Sequence, residues 1–351
     1  MERNPARWIA TGLSAAMTAA YLLLVPRGQF SHIDHLGYLE TLRRMRGGQG
    51  YYPAMRDTFW VDWGVRLGGP RSYRLPYLFE VLRWVPPSLL LATFAVVVVV
   101  GTSALLAGST RRPYAVLPVT FFLLVAGRNP GRASGIESWM LVELWTVPLL
   151  ALSYWGWKKD RPWVAALAAA AAALTRELAL PVLLLGLVLA LHRREDRRPW
   201  LVAAAVTAAG MGLHVLLALG VGSTNGTEAP LLGSSIPPRS VISMLLFGWP
   251  VGLGLVPWAL AAVQVVRTRL IAPVSALLAI PLLGVVVNRP YWGILATPFV
   301  LLWAGELVGD LWSERAARRA RQPTMEGCSD PRPARSPMRP APTSSRMPTA
   351  G

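Results

Sequence analysis

Cysteine is nearly absent from this sequence. The one residue, Cys328, excludes a disulfide within the chain, and no CxxC pair or zinc-type Cys/His spacing exists. Charge is also scarce: only 15% of the 351 residues are charged, against about a quarter in an ordinary soluble domain. The deficit is concentrated in blocks with no formal charge, such as 85–109 and 201–227. No Walker loop, HExxH or GxSxG is present, so none of the reactions those motifs carry is indicated. Lysine is rare, and the net charge of +17 is carried almost wholly by arginine. Arginine over lysine, with so much Ala, Gly and Pro, is the composition of a GC-rich bacterial genome.

What the sequence does have is long apolar runs. A run of about 18 residues or more crosses a bilayer core of about 30 Å. The candidates are roughly 8–25, 86–107, 114–126, 139–156, 163–174, 178–191, 201–221, 248–266, 271–287 and 291–308. The fold class expected is therefore an all-α integral membrane protein, a polytopic bundle of about ten transmembrane helices with a large extracytoplasmic first loop. The first run follows Arg3 and Arg7 and is followed by Pro26-Arg27-Gly28, not by a small-x-small cleavage site. It reads as a retained first span.

Basic clusters set the expected sidedness. With the N-terminus inside, the inner segments carry Arg111-Arg112, Lys158-Lys159, Arg193-Arg194, Arg267 with Arg269, and Arg315 to Arg321. This alternation places both termini in the cytoplasm of a bacterial plasma membrane and makes nucleic acid a poor partner for the positive charge. The Arg-rich loop 26–84 is the exception, and long loops obey the charge rule less strictly.

Three regions need more than a simple span. The block 163–191 is interrupted by Thr175-Arg176-Glu177 and flanked by basic residues on both sides. It reads as two short helices that go out and return; a single kinked helix competes, and it would invert every later segment. In the loop 26–84, Leu36, Leu39, Leu42 and Met45 share one helical face, which suggests an amphipathic helix on the outer surface, ended by Gly47-Gly48. The domain division expected is 1–312 in the membrane, with 26–84 outside it, and a disordered basic tail over 313–351, rich in Arg, Pro and Ser.

The chemistry-bearing residues cluster in this loop and at the 175–177 interruption. The loop begins Ser31-His32-Ile33-Asp34-His35-Leu36-Gly37-Tyr38, continues Gly47-Gly48-Gln49-Gly50-Tyr51-Tyr52-Pro53, and ends near Tyr73-Arg74-Leu75-Pro76-Tyr77. Leu174-Thr175-Arg176-Glu177 and Arg289-Pro290-Tyr291 follow. An aspartate just after the first helix, then these elements in this order, resembles the GT-C class of membrane glycosyltransferases, in its bacterial mannosyltransferase-like branch. The resemblance covers roughly residues 8–308. Two features depart from the class: one Asp flanked by His32 and His35 replaces the usual aspartate-rich pair, and the chain is short.

The resemblance implies transfer of a sugar, mannose-like, from a polyprenyl-phosphate donor to an extracytoplasmic glycan or glycolipid acceptor, with inversion. No cofactor or metal is implied; the lipid-linked sugar is the co-substrate. Asp34 is then the catalytic base. Arg176, Arg74, Arg128 and Arg289 are donor-phosphate ligands, as guanidinium suits phosphate. Glu177, His32, His35, Tyr38, Tyr51 and Tyr52 bind or support substrate. Plainer roles stand beside these: Asp34 as a helix cap, Arg176 and Glu177 as a satisfied turn, Arg74, Arg128 and Arg289 as interfacial anchors, Asp57 and Asp62 as loop surface, and His214 as a helix–helix contact. Glu143, inside an apolar run, must face the bundle or a cavity. The rival functions are a transporter or flippase for a lipid-linked or polar substrate, and a non-catalytic scaffold.

Overall fold

The computed structural model describes residues 5–24, 30–31, 33–62, 73–128, 136–192, 196–221, 251–268 and 294–321. These residues are helical apart from turns and one two-residue parallel bridge. The expected span 271–287, His32 and Arg289 lie outside the described residues. The remaining apolar runs each form a helix. In chain order these are α1 (Pro5–Leu24), then α2 (Ile33–Arg46), α3 (Tyr51–Arg56) and α4 (Tyr77–Leu82) of the first loop, then α5 (Pro87–Ser109) and α6 (Leu117–Arg128). They continue as α7 (Val142–Lys158), α8 (Pro162–Thr175), α9 (Leu180–His192), α10 (Arg198–Gly220), α11 (Val251–Thr268) and α12 (Thr297–Arg321).

Among the described residues, two helices, α5 and α10, are long and apolar enough to cross a membrane; α6, α8 and α9 are apolar but shorter. The chain divides into two units, Met1–Asp310 and Leu311–Gly351. In the first, α1 packs on α5 and α6, α5 on α7, α7 on α8, and α8 on both α9 and α10. The α7–α8 contact is close because its residues are small: a Cβ on Gly156 would stand 2.7 Å from the Ala165 amide nitrogen. Such small-residue seams let helix backbones approach without large side chains between them.

The 163–191 block is two helices, as the out-and-return reading requires. Arg176 takes an extended conformation (φ −146, ψ 116) that ends α8, and a short 3₁₀ turn over Glu177–Ala179 precedes α9. Both helices then contribute to one apolar cluster, with Ala166, Ala170, Leu183 and Ala190.

The described part of the first loop folds as a cap, and here the structure corrects the sequence. The buried face of α2 is His35, Tyr38, Leu42 and Met45, while Leu36 remains exposed. Tyr38 packs on Phe79 (ring centroids 5.3 Å) and Phe59 (5.9 Å), and Tyr51 on Phe79 (5.2 Å). Tyrosine buries its ring while its hydroxyl finds a partner, so a tally of purely aliphatic positions misplaces the face. Gly37 carries the Phe59 ring against its backbone, only 2.2 Å from where a Cβ would sit. Gly48, in the left-handed region at φ 98, stops the helix as expected. There the Gln49 and Gly48 amides donate to the Arg44 and Met45 carbonyls at 3.2 and 3.1 Å.

A second correction concerns the tail. The helix continues through 313–321, because the Ala and Arg residues there are good helix formers.

Candidate functional site

The charged residues of the apolar runs and the cap meet at helix ends. Arg176, displaced from helical geometry at the end of α8, stands between two carboxylates. Its Nε lies 2.9 Å from Glu143 Oε1, and its Nη1 donates to Glu177 Oε1 at 2.5 Å. Glu143 sits in the first turn of α7, where the exposed amides of a helix start favour negative charge. Arg176 and Glu143 are sealed, their side chains 1% and 3% exposed, whereas Glu177 is 48% exposed. A buried guanidinium is tolerated only when paired, and this pairing gives Glu143 a partner that the sequence does not name.

The cap brings a second group alongside. Asp34 lies in the first turn of α2, half-buried, and its charge acts on Tyr38 one turn later. Arg74, in the stretch before α4, donates from Nε to the Tyr38 hydroxyl at 3.1 Å. The Tyr51 hydroxyl donates to the Arg74 carbonyl at 2.6 Å and so fixes that stretch. The charge of Glu143 also acts on Tyr38, and that of Arg74 on Glu177. The two groups are therefore electrostatic neighbours: Asp34, Tyr38 and Arg74 from the cap, Glu143, Arg176 and Glu177 from the helices. Burial pushes the Tyr38 phenol up to about 12, against the opposing pull of Arg74, and raises Tyr51 well above the usual tyrosine range. Both phenols stay neutral at physiological pH and serve as hydrogen-bonding groups.

Tyr52 and Tyr77 tie the cap to α10. The Tyr52 hydroxyl pairs with His214 Nδ1 at 2.9 Å, and the Tyr77 hydroxyl donates to the Gly210 carbonyl at 2.7 Å. His214 is thus a contact between two helices, α3 of the cap and α10, and its charge acts on Glu177.

Other sequence candidates fall elsewhere. His35 is buried, its Nδ1 accepting from the Met140 amide at 3.2 Å and its ring edge-on to Trp139 at 4.8 Å. It joins α2 to the turn before α7. Asp57 and Asp62 pair with Arg44 on the cap, and Asp57 also with Arg56 at 2.8 Å; this is loop surface, in line with their plainer reading. Arg128 closes α6, and its side chain lies outside the described residues. The parallel bridge pairs Phe30 with Ile136 and Ser31 with Glu137, so it joins the start of the first loop to the residues just before α7. Among the described residues no three His, Cys, Asp or Glu side chains form a metal-binding group.

The arrangement can accept a proton at a half-open carboxylate, hold an anion at Arg74, and accept hydrogen bonds from hydroxyls at Glu177. The sequence signal for the Glu143–Arg176 pair is a lone carboxylate inside one apolar run and an Arg176-Glu177 interruption of another, since a charge in an apolar run demands an opposite partner. No family model, curated protein or solved structure matches this chain.

Proposed function

We propose that this chain is a polytopic membrane glycosyltransferase of GT-C type, moving a mannose-like sugar from a polyprenyl phosphate to an extracytoplasmic acceptor. Support for the membrane setting comes from α10. Its buried residues, among them Trp200, Ala203, Thr207, His214 and Ala218, form one stripe, while Leu201, Val202, Val206, Leu213, Leu216 and Leu219 are exposed. Soluble monomers rarely leave a contiguous apolar face of this size bare, and a bilayer covers it. The basic clusters of the connecting segments favour about ten spans in a plasma membrane with both termini inside.

The observation that carries the chemical reading is the gathering of Asp34, Arg74 and Glu177 around the Tyr38–Tyr51 shelf. These residues come from segments that the charge pattern assigns to one side of the membrane. In the proposed reaction the acceptor hydroxyl attacks the anomeric carbon as Asp34 takes its proton. The new glycosidic C–O bond forms as the anomeric carbon–phosphate oxygen bond breaks, inverting the centre. The electron pair leaves on the polyprenyl phosphate, whose charge Arg74 stabilises. Arg289 and Arg128 remain further proposed phosphate ligands, and His32 a further supporting residue.

The rival reading is a transporter, whose charges stand near mid-membrane, often at the ends of broken helices. Asp34 and Glu143 lie in first helical turns and Arg176 at a helix end, so activity has to decide between the two. The test is consumption of polyprenyl-phosphate mannose, glucose, galactose or arabinose by membranes containing the chain, with release of free polyprenyl phosphate. Sugar uptake into sealed vesicles without donor consumption favours the transporter instead.

A further inference from the structure

Arg176 is the arginine that the sequence marks most strongly as a phosphate ligand, yet its surroundings leave little room for one. The side chain is 1% exposed and already meets carboxylates on two sides. Glu143, Arg176 and Glu177 together carry one net negative charge, which repels a phosphate. Of the three, only Glu177 reaches solvent, at 48% exposure.

We infer that Glu177 is the acceptor for hydroxyls of the transferred sugar, and that Glu143 and Arg176 are positioning residues that hold it. This inference rests on the glycosyltransferase reading. A carboxylate is an acceptor-only group with two oxygens, suited to a polyhydroxylated ligand. Left alone, the Glu177 side chain samples several rotamers at the start of a short 3₁₀ turn. Arg176 holds it, and Glu143, on a different helix and itself buried, forms an ion pair with Arg176 at 2.9 Å. The geometry of Glu177 is thereby set by the α7–α8 packing rather than by its own flexible turn. In this reading the phosphate falls to Arg74, half-exposed and bound through Nε to Tyr38.

The experiment uses the full chain in lipid nanodiscs, with the polyprenyl-phosphate sugar and acceptor extract that sustain wild-type turnover. Donor KM and kcat are measured for wild type, Glu177→Gln, Glu177→Asp and the double variant Glu143→Gln/Arg176→Gln, which leaves no unpaired buried charge at this pair. A donor lacking a single sugar hydroxyl is run beside each parent donor. A site that hydrogen-bonds a hydroxyl rejects the deoxy analogue strongly. The expected result is that wild type discriminates against one deoxy donor and Glu177→Gln loses that discrimination, with Glu177→Asp between them. For the double variant kcat falls about 100-fold, as expected of a misplaced group, while donor KM stays within about threefold. A donor KM raised tenfold or more with kcat retained makes Arg176 a phosphate ligand and overturns the inference. Unchanged discrimination in Glu177→Gln overturns it as well, even with the transferase active. A wild type that consumes no donor removes the functional reading, and the inference with it.

Discussion

Arg176 and Glu143 stand 2.9 Å apart, one at the end of α8 and the other in the first turn of α7, both almost wholly sealed. Removing Arg176 leaves Glu143 buried without its counter-ion, whereas removing Glu143 leaves Arg176 still paired with Glu177. Arg176→Gln should therefore destabilise the protein by about 3–5 kcal/mol, and Glu143→Gln by less. The double variant should recover most of that loss. Thermal unfolding in detergent measures all three, and single variants as stable as wild type would show that the pair is not buried as described.

The seam between α7 and α8 makes a second prediction. A Cβ at Gly156 meets backbone, 2.7 Å from the Ala165 nitrogen, which cannot swing aside as a side chain does. Gly156→Ala should destabilise by about 1–3 kcal/mol, as overpacking does. At Gly212 on α10 an added methyl would find nothing within 4 Å, so Gly212→Ala should be neutral or mildly stabilising. Equal effects at the two glycines would contradict the helix approach.

Tyr38 makes a prediction about alkaline pH. Burial raises its pKa from the usual 10.0 to about 12. A raised folded-state value favours the protonated form, so the contribution to stability is complete below about pH 10 and is lost as pH rises toward 12. Ultraviolet titration should show Tyr38 missing from the ordinary transition near 10 and appearing near 12, so that Tyr38→Phe lowers the late-titrating signal by one tyrosine and leaves that of the other buried phenols, Tyr51 among them. A full complement of tyrosines titrating near 10 would place Tyr38 in water.

The cap should loosen when its ties to α10 are cut. Tyr52→Phe removes the hydroxyl that meets His214 Nδ1 at 2.9 Å, a loss of about 1 kcal/mol. Tyr52→Phe combined with His214→Phe should be less than additive, since both break one contact. Amide exchange over 51–56 should rise in both single variants while exchange in α5 and α7 stays unchanged.

Much of the fold is readable in the sequence because apolar run length and helix-ending residues are local signals. Gly47-Gly48 marks the end of α2, and Thr175-Arg176-Glu177 marks the break between α8 and α9, each through chemistry of adjacent residues. The site is readable only in pieces. Asp34, Arg74, Arg176 and Glu177 stand out as charges in unusual places, but pairing Arg176 with Glu143 depends on how α7 packs on α8, which no local pattern encodes. His214 draws attention as a lone histidine, yet its partner Tyr52 lies in a loop that reads as surface. The buried face of α2 escapes for a related reason: Tyr38 and His35 count as polar in a periodicity tally but bury their rings. The helical continuation to Arg321 escapes because arginine marks solvated tails, although it is also a good helix former.

The most direct test of the central claim compares purified wild type with Asp34→Asn, an isosteric change that removes the proton acceptor. Donor consumption is followed in lipid nanodiscs with the effective polyprenyl-phosphate sugar. Wild type should release polyprenyl phosphate and glycosylate the acceptor. Asp34→Asn, equally expressed and equally stable, should be slower by about 100-fold or more, the share a positioned general base contributes. An Asp34→Asn protein that turns over donor at the wild-type rate would contradict the account, since the carboxylate at the start of α2 would then be only a helix cap.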